Sequence, residues 1–188
     1  MAATGATATG RMSAGDWVQA GFRILAEDGI KALTIQRLCN RLGVTKGSFY
    51  WHFADMKTYR SALIEAWADF RDEDRELFDH LTEFPPRQRL SRMMTSLVSP
   101  RHWMLERAMR EWARSDDAVA DAVRSSDARI VAAVRQAFVD DGFAAEDADM
   151  RANATFAAGI GFLHLAGSRP SPQAAARREA FLELMLQR

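Results

Sequence analysis

The chain has 188 residues, 25 Lys and Arg against 25 Asp and Glu for a formal net charge of +0, and one cysteine, Cys39. That length suffices for one large domain or two small ones, with a core that needs no cross-link, and a lone cysteine excludes an intramolecular disulfide and any zinc site built on cysteine pairs. A zero total excludes a uniformly basic surface, yet the charge is unevenly placed. Up to residue 60, Arg11, Arg23, Lys31, Arg37, Arg41, Lys46, Lys57 and Arg60 outnumber Asp16, Glu27, Asp28 and Asp55, and the following "FRDEDRELFDHLTEF" reverses the sign.

In chain order, "MAATGATATGRMSAG" is small and polar, and residues 1–12 are expected to form a disordered arm; Arg11 within it could enter a minor groove or be plain tail. The segment lacks the basic start and apolar run of a signal peptide, and no later stretch is apolar for long enough to span a bilayer. A cytoplasmic protein without a membrane partner is expected. Helical periodicity then dominates, with no strand alternation of useful length. The first helix should begin near Ser13 or Asp16, turn Trp17, Ala20, Gly21, Ile24 and Leu25 inward and stop at Gly29. Thr34 caps a short second helix whose apolar stripe is Ile35, Leu38, Cys39 and Leu42, which makes Cys39 an inert core thiol. Gly43 breaks this helix, and Thr45 can cap a third with Phe49 and Phe53 inward.

A long helix follows Asp55 toward His80, with Leu63, Trp67, Phe70 and Leu77 inward and the acidic run 72–79 as a solvated face. "FPPRQ" at 84–88 ends it, because a proline disfavours helical geometry in the residue before it. Breaks at Ser99-Pro100, Ser115, Gly142 and "GSRPSP" (167–172) separate four further helical segments. The fold class is all-α, with a small unit over residues 13–54 and a larger one over 55–188.

A helix, a tight turn on Gly43 and a second short helix form a helix-turn-helix, whose second helix enters the major groove by its N-terminal end. With Phe49 and Phe53 turned inward, Gly47 and Trp51 lie about 200° round the helix and Ser48 and Tyr50 about 100° to either side. A glycine inside a helix costs roughly 1 kcal/mol relative to alanine, a cost that close approach of the backbone to a duplex would explain. Lys46 can reach a phosphate or a guanine edge, and Tyr50, His52 and Thr34 can donate to phosphate oxygens.

The segment "GVTKGSFYWHF", with the helix and Gly29 before it, resembles the tetracycline-repressor (TetR) family of bacterial transcription regulators over about residues 13–65. The resemblance implies an N-terminal three-helix DNA-binding unit and a helical second domain, here 55–188, that dimerises and binds a small effector. It makes Thr45, Lys46, Ser48, Tyr50, Trp51 and His52 contacts of the recognition helix and Thr34 a phosphate contact. The family commonly places Lys or Arg three residues after the motif's last aromatic, where this chain has Met56; Lys57 is adjacent, about 100° away.

In the larger unit, Leu90, Met93, Met94, Leu97 and Val98 form one stripe and Leu105, Ala108, Met109 and Trp112 another. Both are core stripes first. The segment also gathers soft and wide side chains, and Trp67, Phe70, Met93, Met94, Trp103, Met109 and Trp112 are the candidate lining of a pocket for an apolar or aromatic effector. "ATFAAGIGFLHLAG" (154–167) is apolar nearly all round, so one face should pack on its own domain and another elsewhere. Ala154, Ala157, Ala158, Gly161 and Leu165, with Phe181, Leu182 and Met185 of the last helix, are the candidate dimer interface. His80, His102 and His164 have no convergent ligand set for a metal. There is no nucleophile elbow and no phosphate-binding glycine loop, so no cofactor and no enzymatic activity are expected. A ligand-released repressor on an inverted-repeat operator is the leading expectation; a constitutive DNA-binding dimer and, more remotely, a small all-α enzyme or lipid-binding protein are the alternatives.

Overall fold

The computed structural model describes residues 12–97, 100–165 and 172–188, without the side chains of 72–81, 96, 97, 100–102, 163 and 165. The arm expected at 1–12, save Met12, lies outside the described residues. So do the side chains of the acidic run, of His80 and His102, and of Leu165.

Local chemistry sets the first elements. Helix α1 (Ala14–Asp28) opens with a capping box: the Ser13 hydroxyl accepts the Asp16 N–H at 3.2 Å, and the Asp16 carboxylate accepts the Ser13 N–H at 2.8 Å. It ends at Gly29, whose φ of 75° suits a residue without Cβ. Helix α2 (Ile35–Leu42) starts where the Thr34 hydroxyl accepts the Arg37 N–H and stops at Gly43 in the left-handed region. Helix α3 (Lys46–His52) follows, and Thr45 corrects the expected cap: its backbone holds the cap position, but its hydroxyl makes no capping bond.

Helix α4 (Met56–Asp79) begins at Asp55, whose carboxylate accepts the Thr58 N–H at 2.7 Å. Then come α5 (Pro86–Leu97), α6 (Pro100–Trp112), α7 (Asp117–Asp140), α8 (Ala145–Leu165) and α9 (Pro172–Leu186). Helix α4 has ended at Asp79, before a 3-10 turn over His80–Glu83, and Pro86 in the first turn of α5 needs no N–H there. No strand occurs among the described residues.

Helix α7 is the spine of the larger unit and packs on α4, α5, α6 and α8, while α1 packs on α2, α4 and α6. Two apolar cores result among the described residues. One runs from Trp17, Phe49 and Tyr59 through Leu63 and Trp67 to Met109, Trp112 and Val123. The other gathers Leu90, Met93, Val134, Phe138, Ala152 and Leu182. The first core is continuous across residues 54 and 55, so the division read from sequence is not a break in packing.

Buried charge joins the elements of the larger unit. Glu106 of α6, 4% exposed, accepts the Trp67 indole N–H at 3.2 Å and lies 3.4 Å from Arg71 and 3.6 Å from Arg110. Arg110 also grips Asp127 of α7 through two bonds of 2.8 and 2.7 Å, and those carboxylates keep its guanidinium charged despite burial.

Candidate nucleic-acid interface

Helix α3 has one apolar face and one face left in water. Phe49 is fully buried, edge-on to Trp17 at 5.4 Å and packed on Phe53 and Tyr59 at 5.5 Å each. These contacts fix the rotation of the helix about its axis. The consequence is that Tyr50 and Trp51 stand 56% and 69% exposed, unusual for rings of that size. Lys46 and Gly47 are exposed beside them, Ser48 and His52 are half-buried, and Thr34 and Thr45 are exposed at the starts of α2 and α3. Among the described residues, a Cβ built on Gly47 would meet only the Thr45 hydroxyl, at 3.7 Å, so none of them requires glycine there.

The electrostatics are narrower than the sequence suggested. Arg37 pairs with Asp28, and Arg41 holds both oxygens of Glu27 at 2.6 and 2.8 Å. Such exposed pairs add little stability, but they cancel two of the basic residues counted near the motif. Lys46 at the start of α3 and Lys57 in the first turn of α4 are exposed and form no salt bridge among the described residues. Met56 is half-buried against the first core, which explains an apolar residue at that position.

Two features of this unit were not legible in the sequence. Met12 joins Ser48, Trp51 and His52 around a small cavity of about 270 Å³, placing the residue before α1 against the exposed face of α3. Tyr59 of α4 is wholly buried and donates its hydroxyl to the Trp17 carbonyl at 2.7 Å, directly over Gly21. Its partners lie some forty residues away in the chain, beyond the reach of any local pattern.

The profile of the bacterial regulatory proteins of the tetR family matches residues 18–58, the span of these helices. The sequence likeness to that family lies in this N-terminal unit. Over 49 residues it is 39% identical to the tetracycline repressor protein class A of Escherichia coli, a match covering 26% of this chain and 23% of that one. Over 56 residues it is 36% identical to the class G repressor of Vibrio anguillarum, covering 30% and 27%. The matched region thus spans about a quarter of those relatives' length. The fold likeness is longer: a transcriptional regulator from a Rhodococcus species superposes with a TM-score of 0.76 at 18% identity, covering 93% of this chain and 94% of that one. A TetR transcription regulator from Haloarcula marismortui gives 0.74 at 17%, covering 93% and 98%.

The remaining expected sites of this chain are distributed unevenly. Trp67, Met109 and Trp112 are packed in the first core and Met93 in the second; Met94 and Trp103 are buried and Phe70 half-buried. On α8, Ala148, Ala152, Thr155 and Gly159 turn inward, leaving Ala157 exposed and Ala154, Ala158 and Gly161 half-exposed. Phe162 meets Phe181 of α9 edge-on at 6.1 Å, and Phe181 and Met185 remain half-exposed. Leu182 corrects the expected interface. It is wholly buried in its own chain's second core and has no surface to offer a partner. No described helix is long and apolar enough to cross a membrane.

Proposed function

We propose that this chain is a dimeric DNA-binding regulator of transcription that represses from an inverted-repeat operator in the bacterial cytoplasm and acts by binding, without catalysis. The observation that carries this reading is the outward strip of α3. Lys46, Gly47, Tyr50 and Trp51 are held in water by a helix whose opposite face is locked into the core, which is what a helix must do to present side chains in a major groove. The polar groups of Thr34, Thr45, Ser48, Tyr50 and His52 and the charges of Lys46 and Lys57 serve phosphates, with Trp51 and Lys46 nearest the base edges. Two copies joined through α8 and α9 present two recognition helices a helical turn, about 34–36 Å, or a multiple of it apart.

Release by a small apolar or aromatic effector completes the reading. The elements for it are Trp67, Phe70, Met93, Met94, Trp103, Met109 and Trp112, with α4 reaching from the helix-turn-helix into the larger unit. A constitutive dimer is the second reading, favoured by how fully Trp67, Met109 and Trp112 are buried within the chain's own core. Selection of bound duplexes from a random-sequence pool tests the proposal. An enriched inverted repeat is the expected result, and a pool without any enriched sequence would reject it.

A further inference from the structure

We propose that the cleft where α1 meets α6 and the end of α8 binds a small amphipathic monoanion, a ring system carrying one carboxylate. The cleft has a volume of about 590 Å³, within the roughly 300–1,000 Å³ of small-molecule sites. Leu25 and Ala26 of α1 and Ala108 of α6 supply apolar wall, and Met104 of α6 stays 42% exposed beside them. None of the residues expected to line an effector pocket borders this space.

The charge of the wall decides the ligand's charge. Arg110 is already matched by Asp127 and Glu106, although its Nε–H is buried without an acceptor among the described residues. Arg114 lies 3.8 Å from Glu111. Arg107 has no carboxylate partner among the described residues, and its guanidinium lies 5.8 Å from the centre of the Trp103 ring. His164 donates its Nδ1–H to the Ile160 carbonyl at 2.9 Å, leaving Nε2 for another partner. One unmatched guanidinium beside an apolar wall suits one carboxylate on an apolar body, and Glu111 disfavours a second negative charge.

An occupant touches α1 and α6 together, so any preference for one packing of these helices would bias the orientation of α3. That consequence rests on the DNA-binding reading; the site itself does not.

The test uses the full chain without DNA, with isotope-labelled methionine methyls and Met104→Leu to assign the Met104 signal. Naphthoate should move that signal saturably. Its neutral counterpart naphthamide, and naphthoate with Arg107→Gln, should bind roughly tenfold more weakly, as expected for loss of one charge-assisted hydrogen bond. Arg107 is on the surface, so the variant should melt like the parent. A Met104 methyl unmoved up to millimolar naphthoate, or equal affinity for acid and amide, or for parent and Arg107→Gln, overturns the site. Any of those results leaves the operator experiment untouched, and failure of operator selection leaves this titration untouched.

Discussion

At the scale of single residues, Gly21 and Tyr59 are a matched pair. A Cβ on Gly21 would stand 2.1 Å from the Tyr59 hydroxyl and 2.9 Å from a Leu63 methyl, both in the core. Gly21→Ala should therefore destabilise the fold by about 1–3 kcal/mol through overpacking, and Tyr59→Phe by roughly 1 kcal/mol through loss of the bond to the Trp17 carbonyl. Adding Tyr59→Phe to Gly21→Ala removes the worst clash, so the double variant should lose less than the sum. Strict additivity in denaturant melts would show that the two do not share this contact. The exposed face of α3 makes the opposite demand. Lys46→Ala and Trp51→Ala should leave the melting temperature within a degree or so, since neither side chain is in the core. Both should weaken duplex binding, Lys46→Ala lowering the salt slope by about one if it meets a phosphate. Trp51→Ala should lose preference among sequences more than non-specific affinity; a uniform loss would assign Trp51 to the backbone.

At the scale of elements, the spine of the larger unit depends on charges as well as apolar stripes. Glu106 connects α4, through the Trp67 indole and Arg71, to Arg110, which connects onward to Asp127 of α7. Glu106→Gln leaves two guanidinium groups with less negative charge in a desolvated site, and the expected cost is roughly 3 kcal/mol. Replacing Glu106 and Arg71 together by methionine should recover much of it, because the buried pair then disappears along with its desolvation penalty. Chemical denaturation reads both. A Glu106→Gln variant as stable as the parent would mean that water reaches this network. Little of this was readable in the chain: Glu106, Arg110 and Asp127 look like ordinary solvated charges on amphipathic helices until α4, α6 and α7 are brought together.

At the scale of the whole molecule, α8 and α9 carry the proposal of a dimer. Among the described residues, nothing lies within 4 Å of a Cβ placed on Gly161, so Gly161→Glu should fold as a monomer of undiminished stability and bind operator weakly. Sedimentation and melting measured together separate the possibilities. A stable dimer would move the interface elsewhere, and a collapsed melting curve would make Gly161 a packing residue of its own subunit.

The sequence by itself determined the helices of the N-terminal unit and the outward face of α3. Ser13, Gly29, Thr34 and Gly43 act on the backbone within a turn of themselves, and the 3.6-residue period sends Phe49 one way and Trp51 the other. The tertiary structure alone decided which groups meet across the chain. It neutralised Arg37 and Arg41 against Asp28 and Glu27, set Tyr59 over Gly21, turned Leu182 inward while Leu184 stayed 55% exposed, and opened the cleft between α1 and α6 away from the aromatic residues expected to line one. Periodicity specifies that a face is apolar. Which neighbouring helix covers it, and how completely, depends on packing among elements far apart in sequence, and that information is carried by no single segment.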